Sequence, residues 1–267
     1  MSRPAWIVDV IKKLWPTRFA QAKATNYPVI GPWIERTFFQ GDQMTQIPIH
    51  REIEGLDQSV ALPMAVVEEF VREASVRVIM HNCLCRDSNR CKSYPIQTGC
   101  VFLGEAAKGI NPKLGKRAGI EETLGHIRDA VQCGLVPFMG RNKLDTVWLG
   151  VGPGDRLLTI CLCCPCCCFY GTVKHFPTHM RKAIVKLEGL EVHVTDECVG
   201  CGMCTTVCLT EAIRVDGGGR ARIDPERCIG CGRCAGECPS GAVRLVLTRR
   251  DAIEACKQRI RRVVTVT

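Results

Sequence analysis

Six cysteines fall within eight consecutive residues: Cys161, Cys163, Cys164, Cys166, Cys167 and Cys168, arranged around Pro165. A buried free thiol packs no better than alanine or valine and adds an oxidation hazard, so packing does not account for the run. Metal binding does. Eight residues span at most roughly 28 Å, which confines the sulfurs to one metal centre or to the space between two. A second group, Cys83, Cys85, Cys91 and Cys100, brings the upstream candidates to ten. Ten exceeds the eight thiolates of two four-iron cubanes, which leaves two separate clusters or one larger cluster open. On an extended strand, residue parity would set Cys161, Cys163 and Cys167 on one side and Cys164, Cys166 and Cys168 on the other, with Pro165 disturbing the pattern.

Further along, the chain repeats itself at an offset of thirty residues. Cys198, Cys201, Cys204 and Cys208 align with Cys228, Cys231, Cys234 and Cys238. Val199 and Ile229, Gly200 and Gly230, Gly202 and Gly232, and Ala212 and Ala242 also align. Each half is a C-x2-C-x2-C-x3-C run, whose fourth cysteine and doubling set it apart from the paired knuckles of a zinc ribbon.

This repeat resembles the bacterial-type ferredoxin domain, over about residues 190 to 247. The resemblance implies two [4Fe-4S] clusters with ligands crossing between halves. One cluster takes Cys198, Cys201, Cys204 and Cys238, and the other takes Cys228, Cys231, Cys234 and Cys208. Gly200, Gly202, Gly230 and Gly232 would let the backbone curl around each cluster, and Val199 and Ile229 would exclude water. Leu209 departs from the family, which usually places proline there as in Cys238-Pro239. The upstream C-x-C-R and C-x-C-C-x-C-C-C arrangement looks like that of uncharacterised iron–sulfur proteins of anaerobes, a likeness that names no activity.

The elements that must position these residues point to an α+β chain. Ala5 to Leu14, Pro32 to Phe39, Pro63 to Ala74 and Glu121 to Cys133 read as helices, the last closed by Gly134. Gly99 to Lys108 and Thr178 to Leu187 also read as helices. Ser75 to Met80, Thr146 to Leu149, Arg156 to Ile160 and Leu190 to Val194 read as strands. Two strands thus run into cysteine loops, at Cys83 and at Cys161, and their pairing would bring the loops together. Cys133 reads as a buried structural thiol. His175 and His179 read as solvated, and His81, two residues before Cys83, as a candidate ligand or hydrogen-bond partner. The expected organisation is a cysteine-rich module at 1–188, a ferredoxin domain at 189–248 and a basic helical tail at 249–267.

Composition narrows the function classes. Twenty cysteines in tight CxC, CC and CxxC groups, without a secretory signal, argue for metal ligands in a cytoplasmic protein and against disulfides. No uncharged apolar window is long enough to span a membrane, and membrane contact would need a partner subunit. Aromatics make up only 6% of the chain, too few for a nucleic-acid stacking surface. The formal charge of +9 shrinks once clusters are counted, because a cubane with four thiolates carries a net charge of roughly −2. Arg244, Arg249, Arg250, Lys257, Arg259, Arg261 and Arg262 concentrate at the C-terminus, either as a solvated face or as a dock for an acidic redox partner. No flavin or nucleotide fingerprint accompanies these features; Gly217-Gly-Gly219 reads as a hairpin turn.

The expected role is therefore electron transfer within a complex, between two [4Fe-4S] clusters and at least one further iron–sulfur cluster upstream. Catalytic reduction of a substrate at the upstream centre is the alternative, and a factor that delivers clusters or activates a client enzyme is a third class. A zinc-stabilised upstream module is the bland one.

Overall fold

A computed structural model describes residues 3–48, 53–54 and 64–267. The chain opens with three amphipathic helices, α1 (Ala5–Leu14), α2 (Arg18–Ala24) and α3 (Ile30–Phe38), followed by β1 (Gln43–Gln46) and β2 (Ile53–Glu54). Next come α4 (Met64–Glu73), β3 (Arg77–Met80), α5 (Leu84–Ser88), β4 (Val101–Leu103), β5 (Gly115–Arg117) and α6 (Ile120–Gln132). Then follow β6 (Val136–Arg141), α7 (Lys143–Leu149), β7 (Leu158–Cys163), α8 (Thr178–Arg181) and β8 (Ile184–Val185). The repeat region holds β9 (Leu190–Val194), α9 (Met203–Thr206), β10 (Ile213–Val215), β11 (Ala221–Ile223), α10 (Arg233–Gly236) and β12 (Val243–Leu247), and α11 (Ala252–Arg261) closes the chain. Helices and mixed sheets make this an α+β fold. Among the described residues no helix is long and apolar enough to cross a membrane.

The upstream sheet has the order β5-β3-β4-β7-β6-β1-β8 and is antiparallel except for the β1–β8 pair. Its central strands are apolar on both faces: Val101, Phe102, Leu103, Leu158 and Ile160 are all fully buried. β3 and β7 do not pair, contrary to expectation, because β4 lies between them. Cys100 stands immediately before β4, so three adjacent strands bring cysteines to the same edge.

Other expectations are corrected by local chemistry. Thr146 to Leu149 belongs to α7: the Asn142 side chain accepts from the Leu144 N–H at 3.1 Å, and Gly150, with φ of 66°, closes the helix. These caps outweigh the strand preference of Thr and Val. Gly99 to Lys108 is not one helix, because Val101-Phe-Leu is taken into the sheet and Gly104, at φ of 99°, ends the strand. The helix expected to run to Leu187 stops at Arg181, since Ile184 and Val185 pair with Met44 and Thr45. Pro63, expected in the first turn of α4, lies outside the described residues.

In the repeat region β12 pairs with β9 and with β2, and β10 and β11 form the hairpin turned by Gly217 to Gly219. One continuous hydrophobic cluster joins the two regions: Leu162, Cys164 and Cys167 share it with Cys204, Cys234 and Leu245. α11 docks on α4, with Lys257 on Glu69 at 2.8 Å and Arg261 on Glu69 and Glu73. Arg259 pairs with Glu188 at 2.6 Å, Arg249 with Asp251 and Arg244 with Glu197. Much of the C-terminal basic charge is thus engaged within the chain.

Candidate metal centres

The repeat places its cysteines in two separate sets. Cys208, Cys228, Cys231 and Cys234 line one cavity together with Ile229, Gly230 and Gly232. Cys204 feels the charges of Cys198, Cys201 and Cys238. Gly200, Gly202, Gly230 and Gly232 all have positive φ, from 66° to 79°. At Gly200 a Cβ would stand 2.0 Å from the Gly219 carbonyl oxygen, so no other residue fits that loop. Backbone N–H groups already point at sulfur: Ala212 donates to Cys208 at 3.2 Å, and Ala221 to Cys198 at 3.4 Å. Burial pushes the Cys231 thiol up to about 11. Such a buried thiol is held as thiolate only by a cationic partner, and iron supplies one.

The ten upstream cysteines divide four and six. Cys91, Cys164, Cys166 and Cys167 form a knot in which all four sulfurs lie within 4.8 Å of one another. Cys83, Cys85, Cys100, Cys161, Cys163 and Cys168 line a neighbouring cavity of about 40 Å³, whose wall Cys164 of the knot also joins. In this cage the thiols contact in sequence, Cys85 to Cys83, Cys83 to Cys100, Cys100 to Cys161 at 3.8 Å, Cys161 to Cys163, and Cys163 to Cys168. β7 ends at Cys163, with Cys161 and Cys163 both in the cage. Beyond the strand the expected alternation fails: Cys164, Cys166 and Cys167 stand in the knot, and the turn at 165–167 sends Cys168 back to the cage.

Three buried arginines point at these loops, and the acceptors that hold them are carbonyls. Arg86, fully buried, donates to Pro95 O at 2.8 Å, Leu162 O at 2.7 Å and Thr98 O. Burial opposes its charge, while Cys83, Cys100 and Cys164 favour it, so it stands between cage and knot. Arg18 donates to Cys167 O at 3.1 Å and to Trp15 O at 3.0 Å. Arg233 donates to Gly134 O at 2.9 Å and to Cys163 O. No carboxylate among the described residues pairs with any of the three. A buried guanidinium without a counter-ion is expensive, and an anionic metal–thiolate centre supplies the missing charge. The fit of metal centres to these sites rests on that observation.

Burial opposes ionisation of Cys163, yet hydrogen bonds from Cys161 and Cys168 and the charge of Arg233 hold it down at about 5. The Cys100 contact brings Cys83 well below an ordinary thiol. The Trp15 indole N–H donates to Cys85 Sγ at 3.3 Å. Asp145, raised to about 6 by burial, also lines the cage and accepts from Trp148 and Thr159 at 2.7 and 2.8 Å.

Several expected roles change. Val199 is 71% exposed and excludes no water, whereas Ile229 is 8% exposed. Cys133, expected to be buried, is exposed at the end of α6. His81 meets Pro112 O at 3.3 Å and joins neither thiol group, and His179 pairs with Glu35 at 3.0 Å. The residues that sequence reasoning passed over are Trp15, Arg18, Arg86, Asp145 and Arg233. Arg86 and Arg233 had a signal, since each sits beside a ligand-spaced cysteine, in Cys85-Arg86 and Arg233-Cys234.

Residues 197–242 match the family described as the 4Fe-4S dicluster domain. No curated protein and no solved structure matches the chain. The dicluster domain and the abundant cysteines support an iron–sulfur electron-transfer role.

Proposed function

We propose that the protein carries electrons between its dicluster domain and an additional iron–sulfur centre held by the upstream cage, Cys83, Cys85, Cys100, Cys161, Cys163 and Cys168. Bound at these sites, the clusters supply reversible one-electron storage at closely spaced points. The single observation that carries the reading is Arg233. It stands between Gly232 and Cys234 in the second half of the repeat and donates to the carbonyl of Cys163, a cage residue. The residue that supports one cluster loop is thereby fixed to the backbone of the next thiol group. Arg233 and Arg86 supply fixed positive charge on either side of the cage, which favours its thiolates and any electron added there.

Iron analysis of anaerobically purified full-length protein tests this. Two cubanes account for about eight irons per chain, so the reading expects more than eight. Cys100→Ser should lose the excess and retain about eight. Wild-type protein with only about eight irons would sink the upstream centre.

The alternative, substrate reduction at the cage, has its own support. A cavity of about 290 Å³ lies against the cage, lined by Trp15, Phe38, Phe39, Trp148, Phe169 and Phe176, and shares Trp15, Trp148 and Phe169 with the cage lining. An aromatic chamber beside a redox centre suits an apolar acceptor. A change in the upstream centre's magnetic resonance signal on adding planar aromatic acceptors would favour catalysis, and an unchanged signal would favour simple relay. A redox protein remains the proposed partner.

A further inference from the structure

Two geometries distinguish the thiol groups. Among the described residues, the knot of Cys91, Cys164, Cys166 and Cys167 is the one group of thiols that converges within 4.8 Å. Neither quartet of the dicluster repeat does. Within the knot, Cys91 and Cys166 sulfurs stand 3.7 Å apart, and Cys166 and Cys167 sulfurs 3.6 Å. A single tetrahedral ion with metal–sulfur bonds of about 2.3 Å spaces its four sulfurs about 3.8 Å apart. A cubane places each thiolate on a different iron and holds the four wider apart. The knot therefore has the dimensions of a one-ion site, and neither repeat quartet in the same chain converges as tightly.

We propose that Cys91, Cys164, Cys166 and Cys167 bind one zinc ion in a closed, redox-inert tetrahedral site. Zinc is the divalent ion that four thiolates without an open position suit best. The net charge of a zinc tetrathiolate is roughly −2, and the site is built for it. Arg86 contacts Cys164, the Cys167 N–H donates to Cys164 Sγ at 3.3 Å, and Arg18 binds the Cys167 carbonyl. The ion ties the loop carrying Cys91 to the turn that follows β7. That turn leads on to Cys168 in the cage, and the zinc site itself takes no part in electron transfer. Of the two upstream groups, only the cage is then left to hold iron. The zinc site is tested separately from the cage reading, because none of the six thiols proposed to hold the upstream cluster is among its ligands, although Cys164 borders both.

The test uses full-length protein purified anaerobically from cells supplied with both metals. Elemental analysis should find one zinc per chain, and X-ray absorption at the zinc edge should find four sulfurs at about 2.3 Å with no neighbouring metal. Cys166→Ser, at the most exposed ligand, should lower zinc severalfold while iron content stays unchanged. Because wild-type absorption needs no variant, the test survives a Cys166→Ser protein that folds poorly. The proposal is overturned by wild-type protein free of zinc, by zinc that persists in Cys166→Ser, or by iron that falls with Cys166→Ser in soluble, folded protein.

Discussion

The two halves of the repeat are close in sequence and opposite in surroundings. Val199 and Ile229 occupy equivalent positions, yet the first is exposed and the second buried. Met203 and Arg233 are equivalent too: Met203 is 46% exposed, while Arg233 is buried against Gly134 and Cys163. Leu209 stands where the second half has Pro239. Leu209 is buried in a cluster with Cys163, Cys168 and Tyr170, whereas Pro239 is exposed. The departure from the family pattern at Leu209 thus falls where the upstream region covers the repeat. The ligand spacing is shared because both halves must wrap a cluster; everything that differs follows from having one face in solvent and the other in the core. Electrons from outside should therefore arrive near Val199 and Met203 and leave past Arg233.

Exchanging equivalent residues challenges this comparison most directly. Arg233→Met gives the inner half the outer half's residue and strands two buried carbonyls, each worth about 1–3 kcal/mol, so a loss of about 2–4 kcal/mol is expected in denaturant unfolding of the holo-protein. The reciprocal Met203→Arg, on the surface, should stay within about 0.5 kcal/mol. Equal effects would mean that the inner half is not the one the upstream region covers.

Smaller but cleaner are truncations that leave charge alone. Ile229→Ala removes buried side-chain volume and should cost about 2–3 kcal/mol, against less than about 0.5 kcal/mol for Val199→Ala. Leu209→Ala should behave like Ile229→Ala, because it empties the same side of the repeat. Thermal unfolding under anaerobic conditions ranks all three, and a Leu209→Ala variant as stable as wild type would contradict its packing role.

How much of this was legible in the sequence follows from where the information lies. The dicluster domain was recognisable because its cysteine and glycine spacing is local and doubled, whereas the exposure of Val199 depends on what packs around the repeat. That the upstream cysteines gather was readable from their spacing, but not their division into knot and cage. That division depends on β4 separating β3 from β7 and on the turn after Cys164, and neither is encoded by spacing. α7 was misread as a strand because Thr146 and Val147 favour one, although Asn142 and Gly150 marked both ends of a helix. The counter-charges were missed for a different reason. An arginine beside a cysteine looks like surface charge until the fold buries it, as it does Arg86.

The finest test of the comparison concerns how charge at the outer face affects reduction. Met203→Glu adds a negative charge beside the exposed cluster loop and should leave stability within about 0.5 kcal/mol. Dithionite-derived anions should then reduce the dicluster domain about threefold to tenfold more slowly at low salt, and reduced methyl viologen, a cation, should do so faster. Both effects should shrink as ionic strength rises, because the added charge is exposed and screened within about 10 Å at 0.1 M salt. Stopped-flow absorbance reads the rates. The same substitution at Pro239, exposed beside Cys238 of the same quartet, should act like Met203→Glu: if Pro239→Glu and Met203→Glu both leave the rates unchanged, electrons do not arrive at this face.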